Sequence, residues 1–101
     1  MINIHVYIVK CSDGSYYTGS SKNIEKRIVE HNLGLGGDYT RLRRPVKLVY
    51  SEGFENYMDA FNAERRIKKW SRKKKEALIN GDFNELARLS NLKKHPSTGS
   101  G

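Results

Sequence analysis

A single cysteine, Cys11, stands among the 101 residues, so the chain cannot close an internal disulfide or build a cysteine-based metal cage. Its expected part is local packing. No stretch reaches the length of a membrane-spanning helix, and Met1 to Lys10 alternates instead of placing a basic segment before an unbroken apolar block. The chain therefore reads as a cytoplasmic protein with no membrane partner. Internal repeats are absent. Acidic residues are few, 11 Asp and Glu against 19 Lys and Arg, for a formal charge of +8. That balance favours an anionic partner, nucleic acid before an anionic membrane surface. The length suits one domain with a modest core, which leaves the long basic side chains outside.

What is present begins with alternation. Ile2, Ile4, Val6 and Ile8 interleave with Asn3, His5 and Tyr7, the period of a strand with two different faces, and Tyr7 falls opposite the aliphatic row. Asp13-Gly14 is a hairpin signal, so Ser15 to Thr18 should return antiparallel, with Gly19 ending the second strand. Asn23 is suited to cap a helix, Glu25 to its first turn, and Gly34 to the left-handed residue after its end. Ile24, Arg27, Ile28 and His31 share one stripe of that helix. Two phenols on a hairpin beside a helix bearing a guanidinium and an imidazole suit attack on a charged phosphate better than an apolar ligand.

Gly34 to Pro45 reads as a loop, and Val46 to Ser51 restores strand alternation. Asn56 to Trp70 has helical spacing, with Ala60, Phe61 and Ile67 as inward candidates. Glu64, three residues from both Phe61 and Ile67, breaks the pattern by setting a carboxylate near the apolar edge of a basic helix. Ser71 to Asn80 and Asp82 to Lys94 predict two further helices separated by Gly81, the second with Leu86, Leu89 and Leu92 on its apolar side. His95 to Gly101 carries no apolar residue and is expected to be mobile. The resulting fold class is α+β: a small three-stranded antiparallel sheet flanked by helices, in the order β-β-α-β-α-α. Residues 1–80 are expected to form the domain, with 81–94 a C-terminal helix on or extending it.

These residues resemble the GIY-YIG endonuclease superfamily, particularly its small stand-alone bacterial members, over residues 4 to 79. His5-Val6-Tyr7 matches the first tripeptide with His5 for glycine and Val6 for isoleucine, and Tyr17-Thr18-Gly19 matches the second with Thr18 for isoleucine. Arg27 and His31 match the arginine and the histidine or tyrosine of the family's first helix, and Glu64 its metal-binding glutamate. Lys68-Lys69-Trp70-Ser71-Arg72 and Tyr39-Thr40-Arg41 add to the match. Two positions depart from it: Ser20 follows the second motif where many relatives carry a lysine, leaving Lys22 as the nearest substitute, and Asn80 does not align with the family's asparagine.

The resemblance implies metal-assisted hydrolysis of a DNA backbone, with Tyr7, Tyr17, Arg27, His31 and Glu64 as the catalytic set. One Mg²⁺ or Mn²⁺ ion would be held by Glu64, weakly without substrate, because such ions keep several waters and use phosphate oxygens as ligands. Tyr7, ahead of Tyr17, is the expected base, its phenolate favoured by nearby positive charge, since an unperturbed phenol is only about a thousandth ionised at neutral pH. Arg27 would stabilise phosphoryl charge, and His31 would orient a tyrosine or carry a proton.

Eight basic residues between Arg65 and Lys75, together with Lys22, Arg41, Arg43 and Arg44, give a surface able to track phosphates without reading sequence. Lys22, Arg41, Arg43, Arg44, Arg65, Lys68, Lys69 and Arg72 are its candidates. The expected partner is DNA, branched or flap-bearing, ahead of RNA, met by a monomer, a weak oligomer or one part of a larger repair assembly. A binding module that keeps this fold without cutting is the alternative, and a protein-interaction adaptor is a third class. In that case Glu64 would simply pair with Lys68 one helical turn on.

Overall fold

A computed structural model describes residues 3–98, with side chains described through Asn91, so Ile2 lies outside the described residues. The chain forms two compact units divided between Lys69 and Trp70. In the first, the elements run β1 (Ile4–Lys10), β2 (Tyr16–Ser21), α1 (Ile24–Asn32), α2 (Asp38–Arg41), β3 (Lys47–Phe54) and α3 (Tyr57–Lys68). The second holds α4 (Arg72–Ile79) and α5 (Phe83–Thr98).

The three strands form one antiparallel sheet in the order β2-β1-β3. The hairpin turns where expected: Gly14 takes φ +86°, and the Asp13 carboxylate accepts from the Ser15 N–H at 3.0 Å. Gly19 does not end β2. The ladder continues to Ser21, and Gly19 lies directly opposite Tyr7.

As the central strand, β1 is covered on both faces. Tyr7, Val9 and Cys11 form a cluster with Val46, against which Tyr17 and the α1 residues Ile24 and Ile28 pack. Val6 and Ile8 point the other way and are fully buried, each contributing about 1.5–3 kcal/mol of transfer free energy. Helix α3 contacts the sheet through Ala60, Ala63 and Ile67, which are buried. Phe61, expected inside, is 53% exposed, because the buried stripe runs through the small alanines and turns the phenyl ring outward.

Helix α1 keeps its expected bounds: Asn23 accepts from the Lys26 N–H at 3.1 Å, and Gly34 follows with φ +86°. The segment read as loop contains the single-turn helix α2, too short for periodicity to reveal. The start of β3 is clamped by Asn32, whose side-chain oxygen accepts from the Val46 N–H at 2.7 Å while its amide donates to the Val46 carbonyl at 3.2 Å.

In the second unit, Ser71 caps α4 by accepting from the Lys74 N–H at 3.2 Å, and Asp82 accepts from the Glu85 N–H at 3.1 Å as α5 begins. Gly81 separates the helices with φ +69°. Helix α5 continues past Lys94 to Thr98. Residues 99–101 lie outside the described residues.

Candidate active site

Because Gly19 has no side chain, the Tyr7 ring can lie across β2. A Cβ at Gly19 would stand 2.6 Å from the Tyr7 hydroxyl and 3.2 Å from the Tyr17 ring. The Tyr7 hydroxyl meets His31 Nε2 at 2.8 Å, and His31 Nδ1 meets Thr40 Oγ1 at 2.8 Å, a chain running from β1 through α1 to α2. All three residues are buried, Tyr7 at 1% exposure and His31 and Thr40 at 0%. Tyr17 is half-buried and sets its ring edge against His31, centroids 5.5 Å apart, while its other side stacks on Tyr39 at 5.9 Å. Gly36 backs the imidazole so closely that any Cβ there would collide with Nδ1.

Charges converge on the same hydroxyl. Burial pushes the Tyr7 phenol above its ordinary range and outweighs Arg27, whose guanidinium acts as a hydrogen-bond donor to it and pulls the other way; Tyr17 and Glu64 act through space to raise it further. The phenolate expected at Tyr7 is thus disfavoured, because desolvation is the largest influence on it. His31 is pushed below the usual imidazole range by burial and then by Arg27, with Glu30 opposing, so its ring is neutral at neutral pH. Arg27 itself is steadied by Glu30, Nη1 to Oε1 at 3.2 Å.

Glu64 is one of the charged groups acting on Tyr7, so the carboxylate of α3 and the phenol of β1 belong to one electrostatic neighbourhood. Its side chain is 18% exposed and accepts from Lys68 Nζ at 2.9 Å. Glu64 also lines a concavity of about 320 Å³ with Ile4, Ser20, Tyr57, Met58 and Phe61. No group of three or more His, Cys, Asp or Glu able to hold a metal occurs among the described residues. One carboxylate at an open concavity fits a hydrated hard cation that takes its other ligands from water and phosphate. It does not fit a protein-only cage.

The basic candidates divide. Lys22 borders a second concavity with Lys26 and Arg27, and its ammonium stands 5.4 Å from the Tyr57 ring centre. Lys69 is exposed at the end of α3, and Arg65 is exposed with its guanidinium 5.4 Å from the Phe61 ring centre. Arg43 and Arg44 also make bonds within the chain itself. Arg43 pairs with Asp13 at 3.1 Å, donates to the Tyr39 carbonyl at 3.0 Å and lies 3.9 Å from the Tyr39 ring centre. Arg44 donates to the Arg41 carbonyl at 2.9 Å. Arg41 pairs with Asp38 at 3.6 Å, and in the second unit Arg72 pairs with Glu76 at 3.1 Å. Sequence reasoning gave no role to Thr40, Gly36 or Lys26. The proximity of Thr40 and Gly36 to His31 depends on the turn around α2, which no periodicity signals, whereas Lys26 stands beside Arg27 on α1.

The fold and this constellation define a class. Residues 3–77 match the model of the GIY-YIG catalytic domain, and the chain belongs to that family. It is 56% identical over 75 residues to the UPF0213 protein SSP2268 of Staphylococcus saprophyticus, an alignment covering 74% of this chain and 92% of that one. Identity is 50% over 75 residues, 74% and 97% of the two chains, with the UPF0213 protein VNG_2274C of Halobacterium salinarum. The solution NMR structure of the UPF0213 protein BH0048 from Bacillus halodurans is 40% identical, with a TM-score of 0.52 over 87% of this chain and 97% of that one. The solution NMR structure of EF2693 from E. faecalis is 38% identical, with a TM-score of 0.57 over 80% and 86%. No described helix is long and apolar enough to cross a membrane.

Proposed function

We propose that the protein is a divalent-metal-dependent DNA endonuclease of the cytoplasm that hydrolyses phosphodiester bonds. Its preference is for structure over sequence, as repair or recombination requires. One observation carries the reading: groups from β2, α1 and α3 all act on the hydroxyl of Tyr7, His31 through a 2.8 Å hydrogen bond and Tyr17, Arg27 and Glu64 through charge.

In this reading Arg27 grips the phosphoryl oxygens, where a guanidinium can donate two parallel bonds. Tyr7 is buried and stays protonated. Tyr17 is the half-buried phenol an attacking water can reach, and once it has given up its own proton to solvent its phenolate would take the water's proton. Glu64 would hold the ion, which when bound supplies charge stabilisation at the phosphoryl group and its leaving oxygen. Lys22 and Lys26 would hold the flanking backbone through charge alone.

The test incubates the protein with flap, branched and plain duplex DNA and Mn²⁺, beside Glu64→Ala, Tyr17→Phe and Tyr7→Phe. Metal-dependent products from the unaltered chain, lost in Glu64→Ala and Tyr17→Phe, are expected. Equal cutting by all four proteins rejects the site. The Lys68 contact to Glu64 favours a second reading, a nucleic-acid-binding module whose carboxylate is already neutralised. Binding that weakens steeply with salt and yields no metal-dependent product would select it.

A further inference from the structure

We infer that Thr40 is a positioning residue that locks His31 in the tautomer carrying its proton on Nδ1, so that Nε2 accepts the proton of Tyr7 and leaves the phenol oxygen's lone pairs for Arg27. The inference rests on the proposed nuclease for its catalytic consequence, while the tautomer itself is a property of the folded chain.

The two short contacts of His31 do not by themselves say which nitrogen bears hydrogen. Donor and acceptor inventories decide it. The Tyr7 hydroxyl is enclosed at 1% exposure, with His31 Nε2 as its hydrogen-bonded partner at 2.8 Å. Arg27, the cation that acts on it, has donors only and so offers its proton no acceptor. Were Nε2 also a donor, the phenol oxygen would face two donors and its own proton would have no acceptor in a buried pocket, an arrangement folded proteins avoid. With Nε2 as acceptor, the phenol proton has a partner and the oxygen remains free to accept from Arg27. The ring's hydrogen must then sit on Nδ1, because His31 is neutral.

Nδ1 points at Thr40 Oγ1, 2.8 Å away. A hydroxyl oxygen carries lone pairs and can accept a ring N–H, so Thr40 in α2 suits an imidazole whose Nδ1 is protonated. The threonine oxygen is then the acceptor that the Nδ1–H requires. Gly36 leaves the space the imidazole occupies, since a Cβ there would collide with Nδ1. The four groups run Thr40, His31, Tyr7, Arg27, each orienting the next. Of these four groups Arg27 is the one placed to touch substrate, and Thr40 acts three contacts away.

The experiment is nitrogen-15 correlation spectroscopy of the imidazoles in the metal-free protein, His31 being identified by comparison with His5→Gln and His95→Gln. Unaltered protein and Thr40→Ser should show the proton on Nδ1 and a bare Nε2. Thr40→Val, which keeps the shape but offers no acceptor, should shift His31 toward the Nε2–H form. Cleavage of flap DNA with Mn²⁺ is measured alongside: Thr40→Val should lower kcat about tenfold with KM little changed, and Thr40→Ser should restore it. A proton on Nε2 in unaltered protein overturns the inference, and so does an unchanged tautomer in Thr40→Val. Should Thr40→Val fail to fold, the unaltered and Thr40→Ser spectra still decide the tautomer. If no protein cuts DNA while the spectra come out as expected, the nuclease reading fails and the tautomer lock stands.

Discussion

Replacing Gly19 with alanine isolates the close approach on which the site is built. Gly19 does not take positive φ, so alanine meets no backbone penalty there and gains roughly 0.5–1 kcal/mol from the smaller entropy of its unfolded chain. The added methyl would stand 2.6 Å from the Tyr7 hydroxyl and 2.8 Å from its Cζ, against an ordinary carbon contact of about 3.5 Å or more. The ring must therefore move by most of an ångström, and it lies in a buried cluster with nowhere soft to go. Over-packing of this kind costs about 1–3 kcal/mol, and a weakened Tyr7–His31 hydrogen bond adds about 1 kcal/mol. The net expectation is a loss of roughly 1–3 kcal/mol, read as a fall of about 1–2 M in the urea midpoint for a chain of this size. The control is Gly19→Ala in a Tyr7→Phe background, where the 2.6 Å contact is gone and the penalty should shrink by about 1 kcal/mol. A Gly19→Ala protein within about 0.5 kcal/mol of the unaltered one, or equal penalties in both backgrounds, would refute the reasoning.

Glu64→Gln should lower metal-dependent cleavage by about a hundredfold or more while changing the urea midpoint little, since its ion pair is with a largely exposed lysine. His31 has a folded pKa below the unfolded value of about 6.5, so the unfolded chain binds more protons as pH falls through that value. Stability should be full above about pH 6.5, decline as pH falls toward the folded pKa and then level off, and His31→Gln should flatten the decline in urea midpoints taken at successive pH values. Arg43→Ala should cost about 1–2 kcal/mol through its lost bonds to Asp13 and Tyr39 yet leave the salt dependence of DNA binding unchanged. Lys22→Ala should do the reverse, with stability within about 0.5 kcal/mol and a salt slope shallower by about one. Thr18→Val should stabilise the fold by about 1 kcal/mol in urea, because the buried Thr18 hydroxyl has no hydrogen-bond partner.

How much of this was legible in the chain depends on the range of the signal. Local chemistry announced itself: Asn23 caps the helix it precedes, and Asp13-Gly14 turns the hairpin, because each acts through neighbours a few residues away. Helical spacing gave Glu64 its place beside the buried stripe of α3, and strand alternation set Tyr7 on the opposite face from Val6 and Ile8. What alternation could not show was that this face is also covered, since burial on both sides follows from β1 becoming the central strand. That covering encloses the Tyr7 phenol and pushes its pKa up, which is why the proposed mechanism gives the water's proton to Tyr17. Thr40 was quoted only as part of Tyr39-Thr40-Arg41, and the basic run around it read as phosphate-tracking. The chain also folds back there, engaging Arg43 and Arg44 and delivering one hydroxyl to His31.

The departures from the family's two tripeptides have physical counterparts in the sheet. His5, where the motif has glycine, sits across from Gly53, and a Cβ at that glycine would come within 3.3 Å of the imidazole. Bulk added on one strand is thus matched by bulk absent on the next. Val6 replaces isoleucine at a site with 0% exposure on the α3 face, a change of one methylene in a shape that stays β-branched. Thr18, also β-branched and 3% exposed, preserves the outline of isoleucine but carries a hydroxyl with no bonded partner. None of the three changes falls on an atom that meets His31 or Arg27. The positions that bear on them are the three at which this chain keeps the motif's residue: Tyr7 by its hydroxyl and Tyr17 by its ring edge meet His31, and Gly19 by its lack of a side chain makes room for the Tyr7 ring. Sequence variation at the other positions is absorbed by packing, whereas a change at Tyr7 or Gly19 alters the geometry around one buried oxygen.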